Sequence, residues 1–101
     1  MSTVNKAIFA RLVAKPGMED EVEQFLTGAL PLAQDEDKTI TWYAVKFDER
    51  TFGIFDSFPD DDGRQAHLNG PIAAALMESG DRLLAEPPSI EQIDVLAAKL
   101  P

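Results

Sequence analysis

The chain has 101 residues, of which 45% are apolar, and a formal charge of −9 with no cysteine. Such a length holds one hydrophobic core, so we expect residues 1–101 to form a single domain. The missing cysteines exclude disulfides, thiolate metal sites and cysteine nucleophiles. The negative charge is unfavourable for binding nucleic acid or anionic membranes. Because no signal-peptide pattern or membrane-length apolar run is present, we expect a cytoplasmic protein.

The first two predicted elements are a strand and a helix. Residues 6–14 form an apolar run rich in β-forming side chains, which Pro16-Gly17 ends. Pro16 suits a helix start, and the acidic residues at 19–21 are favourable near the positive end of the helix dipole. Pro31 is expected to kink or shorten the last turn. The apolar stripe of this helix comprises Met18, Val22, Phe25, Leu26, Ala29, Leu30 and Ala33.

A β-hairpin is predicted next. Residues 35–38 are acidic and are expected to form a solvated turn. Residues 39–47 are dense in Thr, Ile, Trp, Tyr and Val, a composition that favours a strand. Residues 48–50 form a polar tip, and residues 51–58 return as the third strand, which Pro59 ends.

The last predicted elements are a broken helix and a strand. Three consecutive aspartates at 60–62 supply a helix cap and a negative first turn. The helix is predicted to break at Asn69-Gly70-Pro71, where a glycine ends one piece and a proline starts the next. Pro87-Pro88 closes the second piece, and residues 89–99 are predicted to be the last strand.

The order β-α-β-β-α-β predicts an α+β, ferredoxin-like fold. Two right-handed crossovers place both helices on one face of a four-stranded antiparallel sheet with strand order 4-1-3-2. The strands carry apolar residues on both faces, however, where a sheet with one wet face would alternate apolar and polar residues. We therefore expect the uncovered face to pack against a second copy of the chain, as a homodimer with two-fold symmetry.

The chain resembles the antibiotic biosynthesis monooxygenase (ABM) family over nearly its whole length. The resemblance is carried by Phe55-Asp56-Ser57-Phe58-Pro59-Asp60, Ala66-His67-Leu68-Asn69-Gly70-Pro71, the segment 10–17 and Thr41-Trp42-Tyr43. It implies a ferredoxin-like fold dimerised into an α+β barrel, with a pocket between helices and sheet in each subunit. It also implies oxygenation of electron-rich phenols or quinols without a metal or flavin. The resemblance to haem-degrading relatives fails at two positions. Their pattern has a Trp at the position of His67 and a haem-ligating His at the position of Met77.

Two residues are candidates for the chemistry. His67 is the only histidine, and its ordinary pKa near neutrality suits a general base. The alternative is a structural histidine that bonds a backbone carbonyl near the helix break. Asp56 lies inside an apolar strand, and so does Arg11 in the neighbouring strand. The two are expected to lie one or two register positions apart and could form a partly buried ion pair. Alternatively, Asp56 orients His67 or a ligand hydroxyl.

The remaining candidates would bind substrate. Trp42 and Tyr43 point to opposite faces of one strand, so only one of them can line a given pocket. An aromatic wall with a single donor suits a flat phenolic ligand, and Arg11 and Phe58 complete the predicted binding set. Core or interface packing is the commoner role for such residues, above all for phenylalanine. The acidic runs at 19–21, 35–37 and 60–62 lack a metal-ligand spacing and are interpreted as solvated helix starts and turns.

Three functions are compatible with these residues. The first is a cofactor-independent monooxygenase that acts on a small aromatic or quinol. The second is a non-catalytic dimer that binds a small apolar ligand. The third is an isomerase or lyase of the same dimeric barrel type, in which His67 or Asp56 moves a proton.

Overall fold

The computed structural model describes residues 3–101, and its elements follow the predicted order, with each predicted helix divided in two. The strands are β1 (Lys6–Val13), β2 (Thr41–Lys46), β3 (Thr51–Phe58) and β4 (Ser89–Asp94). The helices are α1 (Glu19–Gly28), α2 (Leu30–Gln34), α3 (Asp61–Leu68) and α4 (Pro71–Leu83). The predicted break at Asn69-Gly70-Pro71 is confirmed, since it separates α3 from α4.

The four strands form one antiparallel sheet in the order β2-β3-β1-β4, which confirms the predicted topology. The register places Ile8 of β1 opposite Asp56 of β3, and Asp56 in turn opposite Trp42 of β2. Cross-strand partners share one face of a sheet, so these three residues point the same way.

The hydrophobic core lies on the helix-covered face of the sheet. Its main cluster joins Ala10, Leu12, Phe52 and Ile54 of the sheet to buried residues of α1 and α4. A smaller cluster contains Ala29, Ala33 and Ile72. Trp42 packs against both clusters. No helix within residues 3–101 is long and apolar enough to cross a membrane.

The first helical region begins later than predicted and is interrupted. Pro16 and Gly17 form a turn, and α1 begins at Glu19. A separate short helix, α2, begins at Leu30 with Pro31 in its first turn. Proline lacks the N–H that would continue the previous helix but is tolerated in a first turn, so Pro31 starts a new helix where we predicted a distorted end.

The last strand is shorter than predicted, ending at Asp94 and not at residue 99. β4 pairs only with β1, from Ser89 opposite Arg11 to Asp94 opposite Lys6. One further bond, from Val95 N to Asn5 O at 2.9 Å, continues the pairing. Because β1 begins at Lys6, β4 has no partner strand beyond Val95, and its hydrogen-bonded pairing ends there.

The other face of the sheet carries no helix and exposes large apolar side chains. Tyr43, Val45 and Phe47 of this open face are 56%, 38% and 52% exposed. Phe47 contacts Phe9 edge to face, with ring centroids 6.2 Å apart, and the guanidinium of Arg11 lies over its ring. Gly53 makes this arrangement possible, because a Cβ there would lie 3.1 Å from Cε2 of Phe47.

Candidate active site

Three elements bring an imidazole and two carboxyl groups together. Asp56 lies on the helix-facing side of β3, His67 in the last turn of α3, and Glu36 in the turn between α2 and β2. The side chain of Asp60 caps α3 by accepting a hydrogen bond from Gly63 N at 2.9 Å, which fixes where the helix starts. Gly63 lets α3 approach the turn, since a Cβ there would lie 3.0 Å from Cβ of Lys38.

The ring of His67 lies between the two carboxylates. Nδ1 is 2.6 Å from Oε1 of Glu36, and Nε2 is 2.9 Å from Oδ2 of Asp56. The contact with Glu36 has hydrogen-bond geometry. The contact with Asp56 is longer and is not aligned as a hydrogen bond, so it is an ion-pair contact. Thr39 Oγ1 donates to Oε1 of Glu36 at 2.6 Å and holds that carboxylate in place.

Burial and charge shift the titration of this cluster. Asp56 is 1% exposed and His67 is 8% exposed. Burial raises the pKa of Asp56 above its ordinary value, although His67 opposes the effect. Burial alone would lower the pKa of His67, but the carboxylates of Asp56 and Glu36 outweigh it and raise that pKa above 6.5. Asp56 and His67 therefore bind protons more tightly than the same two groups would in water.

Unpartnered polar atoms are concentrated at this site. Within residues 3–101, the buried side-chain atoms without a hydrogen-bond partner are Oε2 of Glu36, Nε1 of Trp42 and both carboxylate oxygens of Asp56. Trp42 is the cross-strand partner of Asp56, so the indole donor and the carboxylate acceptors belong to adjacent residues on one face. Buried polar groups are normally satisfied, and exceptions are typical of functional sites. Glu36 lines the outer of two spaces at this site and Asp56 the inner one, whereas Trp42 lines neither, so the unpartnered carboxylate oxygens are the atoms that a ligand or water there can reach.

Two cavities meet at His67. The inner cavity, of about 40 Å³, is lined by Asp56, His67 and apolar residues of the sheet and α4, including Ile54, Leu76 and Ile90. The outer pocket, of about 300 Å³, is lined by His67, by Glu36 and its neighbours to Thr39, and by residues of α3 and the start of α4. His67 is thus part of the wall of both spaces.

The structure brings together four of the predicted site residues. His67 and Asp56 are in contact, and Trp42 is the cross-strand partner of Asp56. Phe58 is fully buried and packs against the imidazole with ring centroids 5.5 Å apart, so it supports His67 from the core.

Two predicted site residues lie elsewhere. Tyr43 and Arg11 are on the open face of the sheet, which confirms that Trp42 and Tyr43 point in opposite directions. The expected pairing of Arg11 with Asp56 is wrong. Arg11 is opposite Gly53, which places the two charged residues three positions apart and on different faces.

Glu36 is the site residue that the sequence did not reveal. We predicted that its segment is a solvated turn, yet the side chain is only 17% exposed and bonds to His67, 31 residues along the chain. Its acidic neighbours are typical of solvated turns. The one available signal was indirect, since a histidine and an aspartate buried together leave a second ring nitrogen in need of a partner.

The cluster does not resemble a metal centre. The two carboxylates lie on opposite sides of the imidazole and do not converge on one point, and no group of three or more His, Asp or Glu side chains in residues 3–101 could hold a metal ion.

Comparison with known proteins gives the family. No protein-family model matches the sequence, and no curated protein is significantly similar to it. Among solved structures, the NE2512 protein of Nitrosomonas europaea, whose function is unknown, is 54% identical, with a TM-score of 0.97 over 100% of this chain and 98% of that one. The chain belongs to the family of the NE2512 protein.

More distant structures identify the fold. PA3566 from Pseudomonas aeruginosa is 19% identical with a TM-score of 0.81, over 96% of this chain and 99% of that one. A protein from Caulobacter crescentus CB15, described provisionally as an antibiotic biosynthesis monooxygenase, is 16% identical with a TM-score of 0.79, over 93% and 92% of the two chains. The fold that the resemblance to the ABM family implied is thereby confirmed.

Proposed function

We propose that this protein is a monooxygenase that oxidises a small phenolic or quinol-type substrate with O₂, without a bound metal or flavin. The observation that carries the proposal is the buried Asp56–His67 pair beside a cavity, with unpartnered polar atoms on Asp56 and Trp42. A carboxylate and an imidazole in a dry site can remove the proton of an aromatic hydroxyl. The resulting anion is electron-rich enough to react with O₂ directly.

The substrate supplies all the electrons in this reaction. A quinol loses four electrons and becomes a hydroxyquinone. One atom of O₂ forms the new carbon–oxygen bond, and the other leaves as water with two hydrogens from the substrate. No external reductant is required, so the protein has only to bind the substrate, remove a proton and return one to the reduced oxygen. Asp56 and His67 are the proposed catalytic residues.

The size of the inner cavity restricts how a substrate can bind. Its volume of about 40 Å³ holds a reacting hydroxyl or water, whereas sites for whole small molecules occupy about 300–1,000 Å³. Leu76 lines this cavity and also an outer groove of about 450 Å³ that includes Lys15, Met77 and Pro87. We propose that the ring enters from this groove by displacing Leu76, with its hydroxyl toward Asp56.

The open face of the sheet supports a second part of the proposal, a homodimer. Tyr43, Val45 and Phe47 are large apolar side chains exposed together on this face, and an identical sheet is a self-complementary cover for them. Light scattering coupled to size exclusion should give twice the chain mass of 11.1 kDa. Phe47→Glu should reduce it to one chain mass, whereas Lys46→Glu, on the other face of β2, should not. A monomeric wild type would refute this part.

Oxygen uptake tests the enzymatic proposal. A panel of quinols and polyphenols is incubated with the wild type, His67→Gln and Asp56→Asn, with mass spectrometry of the products in ¹⁸O₂. We expect turnover by the wild type and a loss of about 10²–10⁴-fold in both variants. Asp94→Asn is the matched control, because Asp94 is exposed and paired with Lys6 at 2.9 Å. No turnover above the protein-free blank with any compound would refute the proposal.

A second candidate function uses the same residues without oxygen. The raised pKa of Asp56 in an apolar cavity is typical of carboxyl groups that move protons on and off carbon, as an isomerase or lyase requires. Incorporation of deuterium from D₂O into a bound substrate, with no oxygen consumption, would favour this candidate over the monooxygenase.

A further inference from the structure

Asp56 needs a route by which its protons reach solvent. The carboxylate is 1% exposed and faces the inner cavity, so a proton that it accepts while substrate fills that cavity cannot pass directly to bulk water. Within residues 3–101, the titratable side chain in contact with it is His67, at 2.9 Å. Any repeated use of Asp56 as a base therefore depends on His67.

The far side of the imidazole offers the next step. Nδ1 meets Oε1 of Glu36 at 2.6 Å, and Glu36 lines the outer pocket together with Asp37, Lys38 and Thr39. This pocket, of about 300 Å³, has room for water, and Oε2 of Glu36 has no protein partner. A neutral imidazole can accept a proton at one nitrogen and release one from the other.

We propose that Asp56, His67 and Glu36 form a proton relay between the inner cavity and the outer pocket, with Glu36 as its outlet. The inference rests on the proposed function for the origin of the proton, a substrate hydroxyl in the inner cavity. Glu36 acts through His67 and touches no substrate, so it is a positioning and relay residue.

The proton balance of the relay closes over one reaction cycle. The Asp56 carboxylate takes a proton from the substrate and, once the imidazole turns to align with it, gives the proton to Nε2 of His67, which carries its other proton on Nδ1. The Nδ1 proton then passes to Glu36 and on to water. When oxygen is later reduced to water, a proton returns through the same groups in the opposite direction, and His67 regains its original tautomer.

Glu36→Gln tests the relay, since it keeps the shape of the side chain but removes the exchangeable charge. Asp35→Asn is the matched control, because Asp35 is an exposed acid in the same turn, one residue away. With a substrate that the wild type turns over, we expect kcat of Glu36→Gln to fall about 10- to 100-fold, less than on loss of the base itself. KM should stay within about twofold, and small buffer acids such as formate should partly restore kcat.

A substrate-free measurement separates failure of the relay from failure of the proposed function. His67 is the only histidine in the chain, so its ¹⁵N ring signals need no assignment. In Glu36→Gln, we expect the His67 titration to move to lower pH and its ring-proton exchange with water to slow about tenfold, with neither change in Asp35→Asn. Titration and exchange equal to those of the wild type would overturn the relay even if oxygen uptake is found.

A kcat loss in Glu36→Gln that formate does not relieve would also overturn it, leaving Glu36 a structural role. If the wild type turns over none of the tested compounds, the proposed function is refuted. The exchange of the His67 ring proton with water then tests the relay by itself.

Discussion

Replacing Asp56 by leucine should make the protein more stable. Leucine has the same number of side-chain heavy atoms and the same branching as aspartate, and the site is bordered by the apolar residues of the inner cavity. In the wild type, two carboxylate oxygens are buried without an aligned donor. Asp56→Leu removes both, but it also removes the charged neighbour of His67 Nε2, which lies 2.9 Å from Oδ2 in the wild type, and we count that loss as one unpartnered atom. Each such atom costs about 1–3 kcal/mol, so we expect a net stabilisation of about 1–3 kcal/mol.

Urea unfolding at about pH 9 is the appropriate assay because the charge attraction between His67 and the carboxylates is weaker there than at neutral pH. The transition midpoint should rise at unchanged slope, and Tm should rise by about 4–8 °C per kcal/mol. Protein concentration must be held constant, since a dimer links stability to concentration. Asp94→Leu, which removes an exposed and paired carboxylate, should change stability by less than about 0.5 kcal/mol. A destabilisation of Asp56→Leu by more than about 1 kcal/mol would show that Asp56 is a satisfied member of the core, and our reasoning would be refuted.

Three further substitutions test other parts of the structure. The pKa of His67 is raised in the folded state, so the histidine should stabilise the protein relative to His67→Gln. This stabilisation should be complete below pH 6.5 and should be lost as the pH rises through the folded pKa. Urea titrations of both proteins from about pH 5 to about pH 10 measure the difference. Gly53→Ala should lower stability by about 1 kcal/mol in thermal unfolding, because its methyl group would lie 3.1 Å from Cε2 of Phe47 and the ring must move. Asp60→Ala removes the cap of α3 and should cost about 1 kcal/mol, read from the urea midpoint.

Each of these three has an outcome that contradicts it. A difference between the wild type and His67→Gln that does not vary with pH would exclude the charge pairing of His67. A higher Tm for Gly53→Ala would mean that the open face accommodates the methyl group without displacing Phe47. Asp60→Asn keeps a capping oxygen and is the control for Asp60→Ala, so equal losses in the two variants would show that the cap is not the cause.

The topology could be predicted because the local signals agree with one another. Strands rich in β-branched and aromatic residues alternate with segments bounded by proline and glycine, and the order of these segments predicts the order of the strands and helices. These signals depend on neighbours in sequence. Strand register and the point where a partner strand ends depend on residues that are distant in the sequence. For this reason the predicted Arg11–Asp56 pairing and the predicted end of β4 were wrong.

The candidate site could be predicted only in part. His67 and Asp56 stand out because each is a polar residue within an apolar pattern, but Glu36 lies in an acidic turn whose composition is that of a solvated surface. Its role depends on the packing of α3 against that turn, with Gly63 close to Lys38. Nothing local to residue 36 encodes that contact.

The opposite orientation of two adjacent aromatic residues makes β2 an optical probe of both faces of the sheet. The chain contains one tryptophan and one tyrosine, Trp42 and Tyr43. Trp42 is next to Asp56 on the helix-covered face, and Tyr43 is exposed on the open face. Tryptophan emission should therefore respond to a ligand near Asp56, and tyrosine absorbance to burial of the open face. Ligand binding and self-association can thus be followed separately in the unlabelled protein.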